Sequence, residues 1–286
     1  MNDSTAEQCV RLVTMNTFGV PTQMTRVRLR TLARELNVAE LDVACFQEVQ
    51  LSYFAWLMQR EFHALPHAAL KPHFYAPKGG LLTLSRWPVK QVEFHPFRHR
   101  GLRLGPSVAD WALSKGALIV ELATATPIII VNTHLNANYD GDWSEGNRYA
   151  QIEHTQVRQL ISLVASFDPG AMVMLAGDFN FPRGSWLYNE LVSEAGLIDP
   201  RSVYLEPTFR PHRLLPSHYA QPIDFVLVRP PRGVLIKTQA WKLFDEHVTM
   251  VNGRRGYLSD HHAVQVDVTW PSLTVAASAS DAPDSL

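Results

Sequence analysis

Residues 171–180 read Ala-Met-Val-Met-Leu-Ala-Gly-Asp-Phe-Asn. Six apolar residues in a row, Ala171 to Ala176, suit a short strand buried on both faces. The run stops abruptly at Gly177, and Asp178 and Asn180 follow. A strand whose C-terminal end opens into polar side chains is where α/β folds place their chemistry. Asp178 can bind a hard metal ion or accept a proton. Asn180, two residues on, points the same way along an extended chain. Taken alone, the tetrapeptide 177–180 fits a turn equally well, so the rest of the chain decides.

Working outward, the same pattern recurs. Val10–Met15 is a β-rich run ending at Asn16, and Leu41–Phe46 ends at Gln47–Glu48. Ala117–Leu122 and Ile128–Thr133 flank a Thr/Ala/Pro turn, which predicts a hairpin, and the second run ends at His134. Ile223–Val228 begins beside Asp224, and Asp260–His261 sit directly before Ala263–Thr269. Further strands are expected at Leu81–Leu84, Val92–Phe97 and Val234–Phe244. Helical spacing of apolar residues predicts helices over Arg26–Leu36, Ser52–Gln59 and Tyr149–Val164, and Ser185 is placed to cap another running to Glu194. Residues 98–115, 135–148, 198–221 and 245–259 read as loops. Strands outnumber helices about two to one, and hairpins alternate with helical crossovers. The expected architecture is α/β: mixed sheets packed face to face with helices outside. No linker cuts the chain, so residues 1–271 form one expected domain, with 272–286 a small, polar, disordered tail.

The composition narrows the function classes. With 26 basic and 27 acidic residues, no global positive surface exists to grip a polyanion. Cys9 and Cys45 form no metal or redox spacing and suit reduced thiols, so a cytoplasmic chain is expected. The first residues show neither the basic nor the apolar region of a secretory signal. No apolar stretch reaches the roughly 20 residues that span a bilayer. The phosphate-binding P-loop, the Gly-x-Ser-x-Gly elbow and the His-Glu-x-x-His zinc motif are all missing.

Six polar clusters thus fall at strand ends: Asn16, Glu48, His134, Asp178/Asn180, Asp224 and Asp260/His261. One such residue is ordinarily a cap or turn former. Six along one chain supply carboxylates, imidazoles and amides together. That donor set suits Mg²⁺ or Mn²⁺, which prefer oxygen, and not structural zinc, which takes thiolates. His262 points away from His261 along a strand and is read as structural.

The ordered set Thr-Met-Asn16, Gln47-Glu48-Val, Asn132-Thr133-His134-Leu, Gly-Asp178-Phe-Asn180, Ile-Asp224-Phe-Val and Ser259-Asp260-His261 resembles the endonuclease/exonuclease/phosphatase superfamily of DNase I-like proteins. The resemblance spans residues 10 to about 269. It implies a four-layered α/β sandwich and hydrolysis of a phosphodiester by direct attack of an activated water. It implies Glu48 as the main metal ligand, with Asn16 and Asp260 assisting, and Mg²⁺ as cofactor, with Mn²⁺ able to substitute. Asp178 would activate the water, while Asn180 would position it and touch the phosphate. His261 would bind the phosphoryl oxygens, and Asp224 would fix its tautomer. His134 is implied as a second imidazole and candidate acid for the leaving group.

Within the superfamily, 79–88 (Gly-Gly-Leu-Leu-Thr-Leu-Ser-Arg-Trp-Pro), Ser114-Lys115-Gly116, Thr-His134-Leu-Asn136-Ala-Asn-Tyr139, Arg148-x-x-Gln151 and Leu258-Ser-Asp260-His261 look most like the neutral sphingomyelinase branch. Asn136 corresponds there to a polar residue near the phosphate. The expected partner is therefore a lipid or small phosphodiester, acted on by a monomer, with nucleic acid as the alternative substrate and a catalytically silent binding protein as a further one. Specificity is expected in the loops 98–115, 136–148 and 200–221. Leu102, Leu104, Val108 and Trp111 beside Arg98, Arg100 and Arg103 suggest a lipid-facing loop.

Overall fold

The computed structural model describes residues 7–99, 101, 114–202, 204–213 and 215–271. Two sheets dominate. The first has six strands: β1 (Glu7–Asn16), β2 (Val43–Gln47), β3 (His67–Ala69), β4 (Leu82–Ser85), β10 (Lys237–Leu243) and β13 (Ala263–Pro271), in the order β10-β13-β1-β2-β4-β3. The second has β5 (Val89–Pro96), β6 (Gly116–Leu122), β7 (Ile128–His134), β8 (Met172–Asp178) and β9 (Asp224–Arg229), side by side in chain order. A small pair, β11 (Val248–Thr249) and β12 (Arg255–Gly256), stands apart.

Three apolar layers make this a four-layered sandwich. Met172, Met174 and Ala176 face the first sheet, packing with Leu12, Val43 and Val266 between the two sheets. Val173 and Leu175, the alternate residues, pack under α3 (Arg148–Ser166) and α4 (Trp186–Glu194) through Val157, Leu160 and Leu187. The unbroken apolar run is thus explained: β8 is covered on both faces. On the far side, Val13, Met15 and Phe46 pack against α1 (Gln23–Leu36) and α2 (Ser52–Glu61). The expected two mixed sheets with flanking helices are present. β1 runs parallel to β2 and β7 parallel to β8, while the β6–β7 hairpin is antiparallel as its turn predicted.

Some elements differ from the sequence expectation. β3 holds three residues, His-Ala-Ala, with no β-forming signal, and exists because β4 pairs with it. β10 begins at Lys237, where pairing with Thr269 starts, and not at Val234. The expected loop 245–259 contains the β11–β12 pair. Ser185 caps α4 as expected, its hydroxyl accepting from Tyr188 N–H. Most of the proposed lipid-facing loop, and the tail 272–286, lie outside the described residues. No helix among the described residues is long and apolar enough to cross a membrane.

Candidate active site

Strand register builds the site. β7 pairs with β8 so that His134 stands beside Asp178, and β9 pairs with β8 so that Asp178 stands beside Asp224. Three polar side chains from three sequence-distant segments therefore form one row at the sheet end. Across the sandwich, β1 and β2 end together, with Asn16 beside Gln47. Asn16 Nδ2 donates to Asp178 Oδ2 at 2.9 Å and to Glu48 Oε1 at 3.1 Å, joining the two sheets.

Glu48 leaves β2 with φ +54°, a conformation uncommon for a glutamate. Two glycines permit it. A Cβ on Gly19 would lie 1.9 Å from the Glu48 carbonyl oxygen, and one on Gly80 (φ +65°) 3.3 Å from the Glu48 Cα. Strain in the backbone thus turns the Glu48 carboxylate toward Asn16. Gln50 Nε2 donates to its other oxygen at 3.2 Å. The Asn16 side-chain Oδ1 accepts from Phe18 N–H at 3.0 Å, so the side chain presents its N–H groups to the carboxylates and orients them.

The third arm comes from residues 259–261. Ser259 Oγ donates to the Asn16 carbonyl at 2.7 Å and lies 3.1 Å from Asp260 Oδ1, while His261 N–H donates to Ser259 Oγ. His261 Nδ1 meets Asp224 Oδ2 at 3.0 Å, leaving Nε2 3.7 Å from Asp178 Oδ2. Thr208 Oγ1 accepts from both Ile223 N–H and Asp224 N–H at 3.0 Å and so locks the start of β9. Asn180, with φ +58°, donates its backbone N–H to Asp178 Oδ1 and its amide to Leu135 O. Asparagine tolerates this left-handed conformation.

Electrostatics separate the members. Burial raises the Asp178 carboxyl to about 7, Asp224 adding to the rise while His261 and Lys115 oppose it. Burial also disfavours charge on His261, but the carboxylates of Asp224 and Asp178 outweigh it and raise the imidazole to about 10. His134 goes the other way: burial, then the charges of Lys115 and His261, hold it well below the ordinary histidine range. Burial raises Glu48, with the Asp260 charge adding to the rise.

Lys115 is the residue that sequence reasoning gave no role. Its side chain is buried, and Nζ donates to His134 Nε2 at 2.9 Å and to Leu135 O at 2.7 Å. The same Nε2 lies 3.3 Å from Asp178 Oδ2, and Nδ1 is buried with no hydrogen-bond partner among the described residues. The available signal was a lysine set directly before the strand 116–122, apolar but for Glu121. Asn136 is buried against α3, where its backbone N–H donates to Gln156 Oε1 at 3.0 Å; its Nδ2 has no partner among the described residues. His262 turns away from the row, as alternation predicts, and meets Arg210 at 3.1 Å.

One connected network therefore holds Asn16, Glu48, His134, Asp178, Asn180, Asp224, Asp260 and His261. A family model covers residues 13–261, from β1 through this last histidine. The chain belongs to the endonuclease/exonuclease/phosphatase family. A putative neutral sphingomyelinase of Drosophila melanogaster is 26% identical over 274 residues, covering 89% of this chain and 59% of that protein. An inositol phosphosphingolipids phospholipase C of Saccharomyces cerevisiae is 25% identical over 227 residues, covering 70% and 47%. The chain thus spans about half the length of these curated relatives. Sphingomyelinase C from Streptomyces griseocarneus superposes with a TM-score of 0.69 at 22% identity, over 91% of this chain and 99% of that one, which shows a shared fold.

The donor set fits a divalent cation. The Asp260 charge adds to the rise of the Glu48 carboxyl while His261 and Lys115 oppose it, and the two Glu48 oxygens are met by amides of Asn16 and Gln50. Paired oxygen donors with amide support suit Mg²⁺ or Mn²⁺. Asp178, Asp224 and His261 also lie close enough to share an ion, but His261 Nδ1 is already bonded to Asp224.

Proposed function

We propose that this chain is a metal-dependent phosphodiesterase that hydrolyses a phosphodiester by direct attack of an activated water. Small or lipid diesters with sphingomyelin-like headgroups are its first substrates. The observation that carries this reading is the row His134–Asp178–Asp224, with His261 bonded to Asp224 and Asn16 joining Asp178 to Glu48.

Glu48 and Asp260 would hold Mg²⁺ or Mn²⁺, which supplies positive charge to the phosphate oxygens. Asn16 orients Glu48 and Asp178 through its N–H groups. Asp178, raised to about 7, takes the proton of the attacking water near neutral pH. The Asn180 backbone N–H fixes that carboxylate, and its side chain, held by Leu135 O, lines the phosphate position. His261, kept cationic beside Asp224, meets charge as it develops on the phosphoryl oxygens. At the corner where His134 was expected to act as acid, burial holds the imidazole well below the ordinary histidine range, and Lys115 Nζ lies 2.9 Å from its Nε2. We assign proton donation toward the leaving group to the Lys115 ammonium, with His134 holding it in place.

The lipid preference is supported by the balanced charge and by the sphingomyelinase and phosphosphingolipid phospholipase relatives. A nuclease is the second reading. A cavity of about 530 Å³ beside Asp260 is lined by Arg28, Arg210 and Arg213, which would suit an anionic extension of the substrate. Arg28 and Arg210 are, however, engaged with backbone carbonyls. Turnover of sphingomyelin liposomes, poly(A), plasmid DNA and bis-p-nitrophenyl phosphate decides between them. The expected result is hydrolysis of sphingomyelin and of the chromogenic diester. Catalytic degradation of poly(A) or DNA with sphingomyelin left intact would replace the first reading with the second; such activity should fall steeply with salt.

A further inference from the structure

Behind the metal-side residues lies a buried guanidinium that the proposed mechanism does not use. Arg28, on α1, is 8% exposed. Its Nη1 donates to Thr17 O at 2.9 Å and to Leu258 O at 2.6 Å. Its Nη2 donates to Phe18 O at 2.6 Å and to Thr25 Oγ1 at 3.3 Å. Three of these acceptors are backbone carbonyls, and they come from opposite ends of the chain.

Each carbonyl adjoins a residue of the site. Thr17 follows Asn16, and its N–H and hydroxyl donate to Gln47 O at 3.0 and 2.9 Å, directly before Glu48. Phe18 has a left-handed backbone, φ +46°, and its N–H orients the Asn16 side chain. Leu258 precedes Ser259, whose hydroxyl donates to the Asn16 backbone carbonyl, and Asp260. Arg210 grips the same segment one residue on, through Ser259 O at 2.8 Å. One fork on α1 thus ties the end of β1, and through it the end of β2, to residues 258–260. The backbones that carry Asn16, Glu48 and Asp260 meet at this point.

A buried cation is costly unless it is paired. The four bonds of Arg28 go to carbonyls and a hydroxyl, none to a carboxylate. Burial opposes its charge, and the charges of Asp260 and then Glu48 favour it. The arrangement has a chemical use. A cation bonded directly to Glu48 or Asp260 would occupy the lone pairs that a metal ion needs. Arg28 bonds the neighbouring carbonyls instead, and the Glu48 oxygens are met by the neutral amides of Asn16 and Gln50. The carboxylates are held near a positive charge without being capped by it.

We propose that Arg28 is a positioning residue, which sets the separation of the metal carboxylates Glu48 and Asp260 by clamping the backbones beside them. The proposal rests on the reading of those two residues as metal ligands. The shape of the fork matters more than its charge. A guanidinium fixes its donors in one plane, whereas a lysine offers three donors at a single point. Arg28→Lys therefore keeps the positive charge and loses the simultaneous grip on three carbonyls. Arg183 supplies a control. It is also buried, with Nε donating to Asp199 Oδ2 at 2.6 Å and Nη1 to Tyr204 O at 2.9 Å, and neither partner belongs to the metal side.

The test is calorimetric titration of Mg²⁺ into the full chain as wild type, Arg28→Lys and Arg183→Lys, with Tm of each recorded in EDTA and at one fixed Mg²⁺ concentration. Arg28→Lys should bind Mg²⁺ about tenfold more weakly, the lower end of the range for residues that orient metal ligands. Its Tm should rise less on adding Mg²⁺ than that of wild type. Arg183→Lys should melt lower in EDTA and still bind Mg²⁺ with wild-type affinity. Wild-type or tighter Mg²⁺ affinity in Arg28→Lys overturns the proposal. An equal loss of affinity in Arg183→Lys overturns it too, because Arg28 would then only support the fold. If Arg28→Lys is too unstable to titrate, its Mg²⁺-induced change in Tm decides in the same sense. Wild type that binds no Mg²⁺ would remove the metal reading itself, and the proposal with it.

Discussion

Two polar clusters bridge the same pair of sheets, one residue step apart. In the first, Gln47 on β2 donates to Asn132 Oδ1 on β7 at 2.8 Å and to Thr14 at 3.0 Å. Asn132 Nδ2 in turn lies within 3.2 Å of Phe46 O, Leu82 O and Thr83 Oγ1. In the second, Asn16 on β1 donates to Asp178 on β8, which meets His134 and His261. Both clusters are buried, and both arise where apolar runs end. The first is neutral, and among the described residues its groups satisfy one another apart from the Gln47 side-chain Oε1. The second concentrates carboxylates, imidazoles and a lysine, and its protonation equilibria are displaced in opposite directions. A neutral network of this kind fixes how two sheets meet. A charged one is costly to bury and is best explained by chemistry.

The comparison can be broken by exchanging the roles. His261→Ala has the largest expected effect: kcat should fall by on the order of 10²–10⁴-fold, the range for one lost acid, base or charge stabiliser. Asp224→Asn should lower kcat less and leave metal affinity near wild type, because its part is to orient His261. Steady-state kinetics beside Mg²⁺ titration by calorimetry reads both, and wild-type kcat in His261→Ala would refute the assignment.

Asn132→Ala should behave in the opposite way. Each buried group left without a partner costs about 1–3 kcal/mol, and each kcal/mol lowers Tm by about 2–4 °C in a domain of this size class. Thermal unfolding followed by circular dichroism should show the drop, with kcat of the folded protein close to wild type. A catalytic loss with unchanged Tm would merge the two clusters into one functional unit.

The sequence made much of this visible, and the reasons are physical. His134, Asp178 and Asp224 each punctuate an apolar run, and strands of similar length in register bring their ends into one row. Glu48 was legible for the same reason, but its left-handed backbone and the clearance made by Gly19 and Gly80 were not. Gln47 and Asn132 sit beside site residues in sequence, and only the pairing of the sheets shows them facing each other. Lys115 was hidden because lysine is ordinarily exposed, and its burial follows from the entry of β6 beneath His134. A cavity of about 210 Å³ beside Asn180 was hidden because Tyr139 and Trp143 of its lining come from one loop and Phe209 and Tyr219 from another.

Hydrolysis of bis-p-nitrophenyl phosphate by wild type and Asp178→Asn, with Tm recorded on the same samples, tests the central claim most directly. The wild-type chain should turn over in Mg²⁺ or Mn²⁺ and stop in excess EDTA. Asp178→Asn should stay folded, with a melting temperature near or above wild type because a buried carboxyl is removed, and lose at least about 10²-fold in kcat. Full wild-type activity in EDTA, or wild-type kcat in Asp178→Asn, would contradict the account.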